Sequence, residues 1–140
     1  MQRLRLGFAD TFEGTKEYFT HLLSKRFEIV RDDQRPDYLI FGDRNFGESN
    51  LRYQNCVRIF YTGENQRPSD YRCDFAISFD HPTSDRMFRL PLYLIYEFDH
   101  KICRNKEMRK GDDYNNKKFC SFVVKNPGCK YRNDYFEILS

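Results

Sequence analysis

The sequence predicts an α/β fold: a Rossmann-like parallel sheet followed by an incomplete second domain. Three observations predict it. Short apolar runs recur along the first half of the chain, each followed by turn-forming residues. An amphipathic helical segment separates the first two runs. The runs are apolar at successive positions instead of alternating, as strands covered on both faces are.

The elements follow in order. Leu4 to Ala9 reads as the first strand. In TKEYFTHLLSKRF, the residues Tyr18, Phe19, Leu22, Leu23 and Phe27 recur at helical spacing with charged residues opposite, which predicts a helix. Phe27 to Val30, Tyr38 to Phe41, Cys56 to Tyr61 and Phe75 to Phe79 supply further strands. Asp85 to Phe98 carries Pro91 inside an apolar run, so the chain turns there and continues as a helix or an edge strand. Residues 1–97 form the first domain on this reading. Residues 98–118, rich in Lys and Arg around a Gly-Asp-Asp turn, read as a basic linker. Residues 119–140 then give a strand from Phe119 to Val124, a loop NPGCKY and a helix starting near Arg132, the opening of a second α/β domain. The last residues, YFEILS, keep helical spacing without a Gly, Asn or Pro stop signal, which is the pattern of a chain cut within a longer one.

Composition narrows the function. Lys+Arg 24 against Asp+Glu 21 leaves a net charge of +3, with the two signs interspersed, so no basic stripe marks a nucleic-acid partner. Aromatics at 17%, without Trp, exclude disorder and point to a core of Tyr and Phe. The five cysteines contain no CxxC pair, arguing against both a disulfide framework and a zinc ribbon. His100, Cys103, Cys120 and Cys129 match no metal-ligand spacing, and nothing in the sequence requires a divalent metal. No run has the length of a signal peptide core or a membrane span. The expectation is a cytoplasmic protein, with the basic stretch Arg104 to Lys110 able to touch an anionic membrane surface.

In open α/β sheets the chemistry lies just beyond the carboxyl ends of the strands. Asp10, Asp43, Glu64 and Asp80 fall there. Four carboxylates on one rim suit sugar hydroxyls or a hard cation, while each taken alone also suits a helix N-cap. Glu64 stands out in TGEN after the run VRIFY: Gly63 permits a sharp turn, Asn65 can hydrogen-bond locally, and desolvation beside the aromatic strand end would raise the carboxyl pKa as a general base requires. A second candidate is KNPGCKYR, residues 125–132, where Lys130 and Arg132 at a helix N-terminus form an anion site without either standard nucleotide fingerprint.

The blocks RIFYTGENQRPSDYRCDFAISFD (58–80), DRMFRLPLYLIY (85–96) and KKFCSFVVKNPGCKYRNDYFEILS (117–140), with DYLIFGD (37–43), resemble the α-1,3/1,4-fucosyltransferases of glycosyltransferase family 10. The resemblance implies a GT-B architecture, in which this chain is the N-terminal, acceptor-binding half plus the start of the donor-binding half. It implies inverting transfer of fucose from GDP-fucose to an N-acetylglucosamine-containing or related glycan. Glu64 is then the general base. Arg132, with Asn126 and Lys130, meets the donor, and Asp10, Asp43, Asn65 and Asp80 meet the acceptor. Lys125 stands where the family usually has Ser, and the family's later Y-x-x-E-K donor motif does not occur in these 140 residues. The 140-residue chain is therefore expected to recognise acceptor without turnover. By the same resemblance the localisation is cytoplasmic or at the bacterial inner membrane, or the Golgi membrane for an anchored eukaryotic enzyme. Two rival readings are a non-catalytic glycan- or protein-binding module and a flavodoxin-like nucleotide domain. The latter needs a phosphate loop after the first strand, which FADTFEGT matches poorly.

Overall fold

The computed structural model describes residues 1–96 and 128–139. They belong to two units, Met1–Arg104 and Asn105–Ser140, each described here by itself.

The first unit is a parallel sheet of six strands: β1 (Gln2–Ala9), β2 (Phe27–Arg31), β3 (Tyr38–Phe41), β4 (Val57–Tyr61), β5 (Phe75–Ser78) and β6 (Met87–Arg89). Helix α1 (Glu13–Ser24) forms the crossover from β1 to β2. The strand order is β2-β1-β3-β4-β5-β6, so the winding direction reverses once, between β1 and β3. That reversal opens a crevice at the carboxyl ends of those two strands.

The central strands are apolar on both faces because both faces are covered. On one, Leu6, Phe8, Ile40 and Tyr61 pack against Tyr18 and Phe19 of α1 and against Ile95. On the other, Ala9, Leu39, Phe41, Phe60 and Ala76 lie beneath Tyr53, Cys56, Tyr71, Cys73 and Met87. Tyr71 stacks on Phe60 with ring centroids 4.0 Å apart. The second layer therefore consists of loop side chains where a sheet of this kind leads one to expect helices.

Three local expectations are corrected or sharpened. Helix α1 stops at Ser24, and Phe27, which fits the helical spacing, instead begins β2 opposite Gln2. Its neighbour in that pattern, Leu22, stays 38% exposed. Around Pro91 the chain forms both alternatives in succession: β6 pairs with β5 as a parallel edge strand, and a 3₁₀ turn, Leu92–Leu94, follows the proline. Gly63 does not adopt a left-handed turn; the positive-φ glycine among the described residues is Gly47. A Cβ at Gly63 would lie 2.6 Å from Cδ1 and 2.8 Å from Cβ of Leu92, so its role is to let that turn pack against the end of β4.

The short link from β2 to β3 crosses directly over β1. A Cβ on Gly7 would stand 2.9 Å from the carbonyl oxygen of Asp32 and from Pro36. The amide of Asp32 donates to the Leu6 carbonyl, that of Asp37 to the Arg5 carbonyl, and the Phe8 amide donates to Asp33 Oδ1 at 2.8 Å. Glycine is the residue that permits the crossing.

In the second unit, α2 (Lys130–Leu139) begins two residues before Arg132. The expected strand from Phe119 to Val124 and the basic linker 98–118 lie outside the described residues.

Candidate functional site

At the carboxyl ends of β1, β3 and β4 the chain leaves a cleft of about 310 Å³. Its walls are Thr11 and Phe12 after β1, Gly42, Asp43 and Phe46 after β3, and Tyr61 to Glu64 at the end of β4, with Leu92 and Tyr96 across from them. It sits at the point where the winding reverses. Phe12 and Phe46 have ring centroids 6.1 Å apart, and Tyr96 is exposed, so the walls offer flat aromatic faces around polar groups.

Within the cleft a short hydrogen-bond chain fixes the β4 turn. Asp43 is 2% exposed. Its Oδ1 accepts from the Asn45 amide at 2.9 Å and caps the 3₁₀ turn Arg44–Phe46. Its Oδ2 accepts from the Thr62 hydroxyl at 3.2 Å. Thr62 Oγ1 in turn accepts from the Glu64 amide at 3.0 Å. The turn closes with Gln66 N donating to the Glu64 carbonyl at 2.8 Å. The Glu64 carboxylate is exposed at the rim and makes no hydrogen bond or ion pair among the described residues. The burial expected around it is thus not supplied by those residues. Beside it, burial first of all, then the neighbouring Tyr96, Tyr18 and Glu64, pushes the Tyr61 hydroxyl far above the ordinary tyrosine value.

Thr62 is the participant that sequence reading missed. Its signal is a hydroxyl residue two places before Glu64, the spacing at which threonine accepts a backbone N–H. Asn65, assigned the local hydrogen bond from sequence, is exposed and does not line the cleft.

The four rim carboxylates do not converge. Asp10 has a left-handed backbone, φ 50°. Its Oδ1 accepts from Ser49 N (2.9 Å) and Oγ (2.7 Å), and its Oδ2 from Asn50 N (2.6 Å) and Nδ2 (2.8 Å). All of its accepting directions are engaged in anchoring the segment after β3. Asp80 holds Arg67 through Nη1, 2.7 Å and 2.8 Å from its two oxygens, and lines a separate groove. Asp43 and Glu64 alone of the four line the cleft. Among the described residues no three His, Cys, Asp or Glu side chains gather as a metal would need. Nor does the loop after β1 form a phosphate cradle, since its one carboxylate faces inward onto Ser49 and Asn50.

In the second unit, Lys130 is the first residue of α2 and pairs with Asp134, Nζ to Oδ2 2.7 Å, while Arg132 lies in the first turn of the same helix. Asn126 lies outside the described residues.

Residues 5–96 match the family model described as "Alpha-(1,3)-fucosyltransferase FucT N-terminal domain". The chain is 38% identical over 86 residues to the alpha-(1,3)-fucosyltransferase FucT of Helicobacter pylori, a match that takes in 59% of this chain and 18% of that protein. Among solved structures it is similar to an alpha1,3-fucosyltransferase crystallised with GDP, at 32% identity and a TM-score of 0.50, covering 66% of this chain and 27% of the other. A second alpha1,3-fucosyltransferase crystal structure gives 33% identity and the same TM-score, with 66% and 29% covered. The chain thus spans less than a third of the length of these relatives. With a match extending from β1 through the 3₁₀ turn after Pro91, the chain belongs to the alpha-(1,3)-fucosyltransferase FucT N-terminal domain family.

Proposed function

We propose that this domain is the acceptor half of an inverting, GT-B type α-1,3-fucosyltransferase, and that Glu64 is its general base. The observation that carries the reading is the unengaged Glu64 carboxylate at the cleft rim, on a turn tied through Thr62 to buried Asp43. A base of this kind must be fixed by its backbone and left open at its carboxylate.

The step is a single displacement. Glu64 takes the proton from an acceptor hydroxyl as that oxygen bonds to the anomeric carbon of fucose. The carbon–oxygen bond to GDP breaks on the opposite face, and its electron pair leaves with the diphosphate. Phe12, Phe46 and Tyr96 give the apolar faces of the acceptor sugar a surface, and Asp43 and Asn65 lie beside the base for its hydroxyls. In this reading Asp10 and Asp80 act from outside the cleft, through Ser49 and Asn50 and through Arg67. Arg132, with Asn126 and Lys130, offsets the charge of the departing diphosphate of GDP-fucose, for which a guanidinium is suited.

The test has two arms. Residues 1–140 should bind an N-acetylglucosamine-containing glycan and release no GDP from GDP-fucose. A chimera carrying residues 5–96 in place of the matching segment of the H. pylori enzyme should transfer fucose, and Glu64→Gln should cut that rate by about 10² to 10⁴ while leaving GDP binding intact. Retained turnover in the Gln variant overturns the base assignment. Glycan binding by a chimera that never turns over favours a non-catalytic binding module instead.

A further inference from the structure

We infer that the sheet carries a second site, a pocket for a small inorganic oxyanion of the phosphate or sulfate class, floored by Arg58 and separate from the Glu64 cleft. Arg58 belongs to β4, and its side chain is carried into the interior with only 7% exposure. A buried cation needs a counter-charge. Arg58 forms no ion pair among the described residues. Nη2 donates to Asn50 Oδ1 at 2.8 Å, the guanidinium lies over the Phe41 ring at 5.1 Å, and Nε has no acceptor. Asp74, which reaches Arg58, accepts at 2.8 Å from its backbone amide.

Arg58 borders a cavity of about 90 Å³, also lined by Arg44, Arg72, Asn50, Glu48 and Asp70. Glu48 lies toward Arg44 at 3.8 Å, and Asp70 Oδ1 accepts from Ser69 Oγ at 3.4 Å. Three guanidinium groups against two carboxylates leave a net positive charge, and the most buried of the three has an unfilled donor. The volume exceeds a water molecule's share of roughly 30 Å³ and is too small for a sugar ring beside its neighbours. An oxyanion there would give Nε its acceptor and Arg58 its counter-charge through the planar donor edge that guanidinium presents. No residue lining this cavity lines the acceptor cleft. Asn50, which holds Arg58, also donates to Asp10, so the ion would help secure the segment that carries Phe46 to the cleft.

Thermal unfolding of the 140-residue protein in inorganic phosphate, sulfate or chloride at matched ionic strength tests the site. Phosphate or sulfate at about ten times its Kd should raise Tm by roughly 5 °C, and chloride should not. Arg58→Met should abolish the rise. Because that change alters the core, Arg72→Gln at the exposed rim is measured as well; it should keep the starting Tm and weaken the response. A rise equal in all three salts, no rise at all, or a phosphate response undiminished in Arg72→Gln overturns the proposal.

Discussion

The Thr62 hydroxyl donates to Oδ2 of Asp43 at 3.2 Å, joining the ends of β3 and β4 inside the protein, and both residues are 2% exposed. The same hydroxyl accepts the Glu64 amide, so the position of an exposed carboxylate depends on a buried pair. Thr62→Val keeps the shape and removes both bonds, leaving an Asp43 oxygen buried without its donor. A loss of about 1–3 kcal/mol is expected from urea unfolding, whereas Thr62→Ser, which retains the hydroxyl, should lose less than about 1 kcal/mol. Equal losses in the two variants would show that the methyl group matters and the hydroxyl does not.

Gly63 tests whether the turn after Pro91 is built against the end of β4. A new Cβ would meet Leu92 at 2.6 to 3.0 Å, including its Cβ, which cannot swing away as a side-chain tip can. Gly63→Ala should therefore cost about 1–3 kcal/mol. Pairing it with Leu92→Ala should recover part of that cost, a coupling that a double-mutant cycle by urea unfolding reads directly. Strictly additive losses would mean that the two residues do not share the strain.

Much of the fold is legible in the sequence because continuous apolar runs are what strands covered on both faces require, and β1, β3, β4 and β5 appear close to where those runs lie. The cover of the second face is not legible. Tyr53 and Tyr71 sit in loops with no periodicity, and only the tertiary fold brings them over Phe41 and Phe60. The crossing at Gly7 is hidden for the same reason: the link after β2 reads as an ordinary polar turn, and nothing local indicates that it passes over a strand. At the site, Glu64 is marked by its turn. Its support is not, because Asp43 and Thr62 are 19 positions apart and their pairing follows from the neighbouring of β3 and β4.

Asp10 gives the domain an acid-sensitive tie. Burial alone would raise its pKa, but the hydrogen bonds from Ser49 and Asn50 outweigh burial and hold the carboxyl below the usual range. A carboxyl depressed in the folded state contributes stability above its unfolded pKa of about 3.9 and loses it as pH falls through the lower folded value. Asp10→Asn tolerates the same left-handed backbone and turns an NH₂ toward donors that need an acceptor. The variant should be less stable by about 1 kcal/mol at pH 7, a figure kept small because the site is partly open to solvent. The gap should narrow steadily in urea titrations carried from pH 5 down through pH 3. A gap that stays constant over that window would place the effect in packing and not in charge.

Phe46 separates acceptor recognition from folding. It is 51% exposed at the end of the 3₁₀ turn that Asp43 caps, and it shares the cleft with Phe12. Truncating a half-exposed ring leaves no sealed cavity, so Phe46→Ala should change stability by no more than about 1 kcal/mol. A sugar lying in the cleft loses an aromatic face, and at about 1.4 kcal/mol per tenfold, a contact of this size corresponds to roughly tenfold weaker glycan binding. Thr62→Val, in contrast, should lower stability and glycan binding together, because it loosens the turn that forms one wall. Glycan titration followed by NMR, with urea unfolding of the same samples, distinguishes the two patterns. If Phe46→Ala binds acceptor as tightly as the parent, the sugar does not lie against this wall, and the acceptor must approach Glu64 from the side of Leu92 and Tyr96.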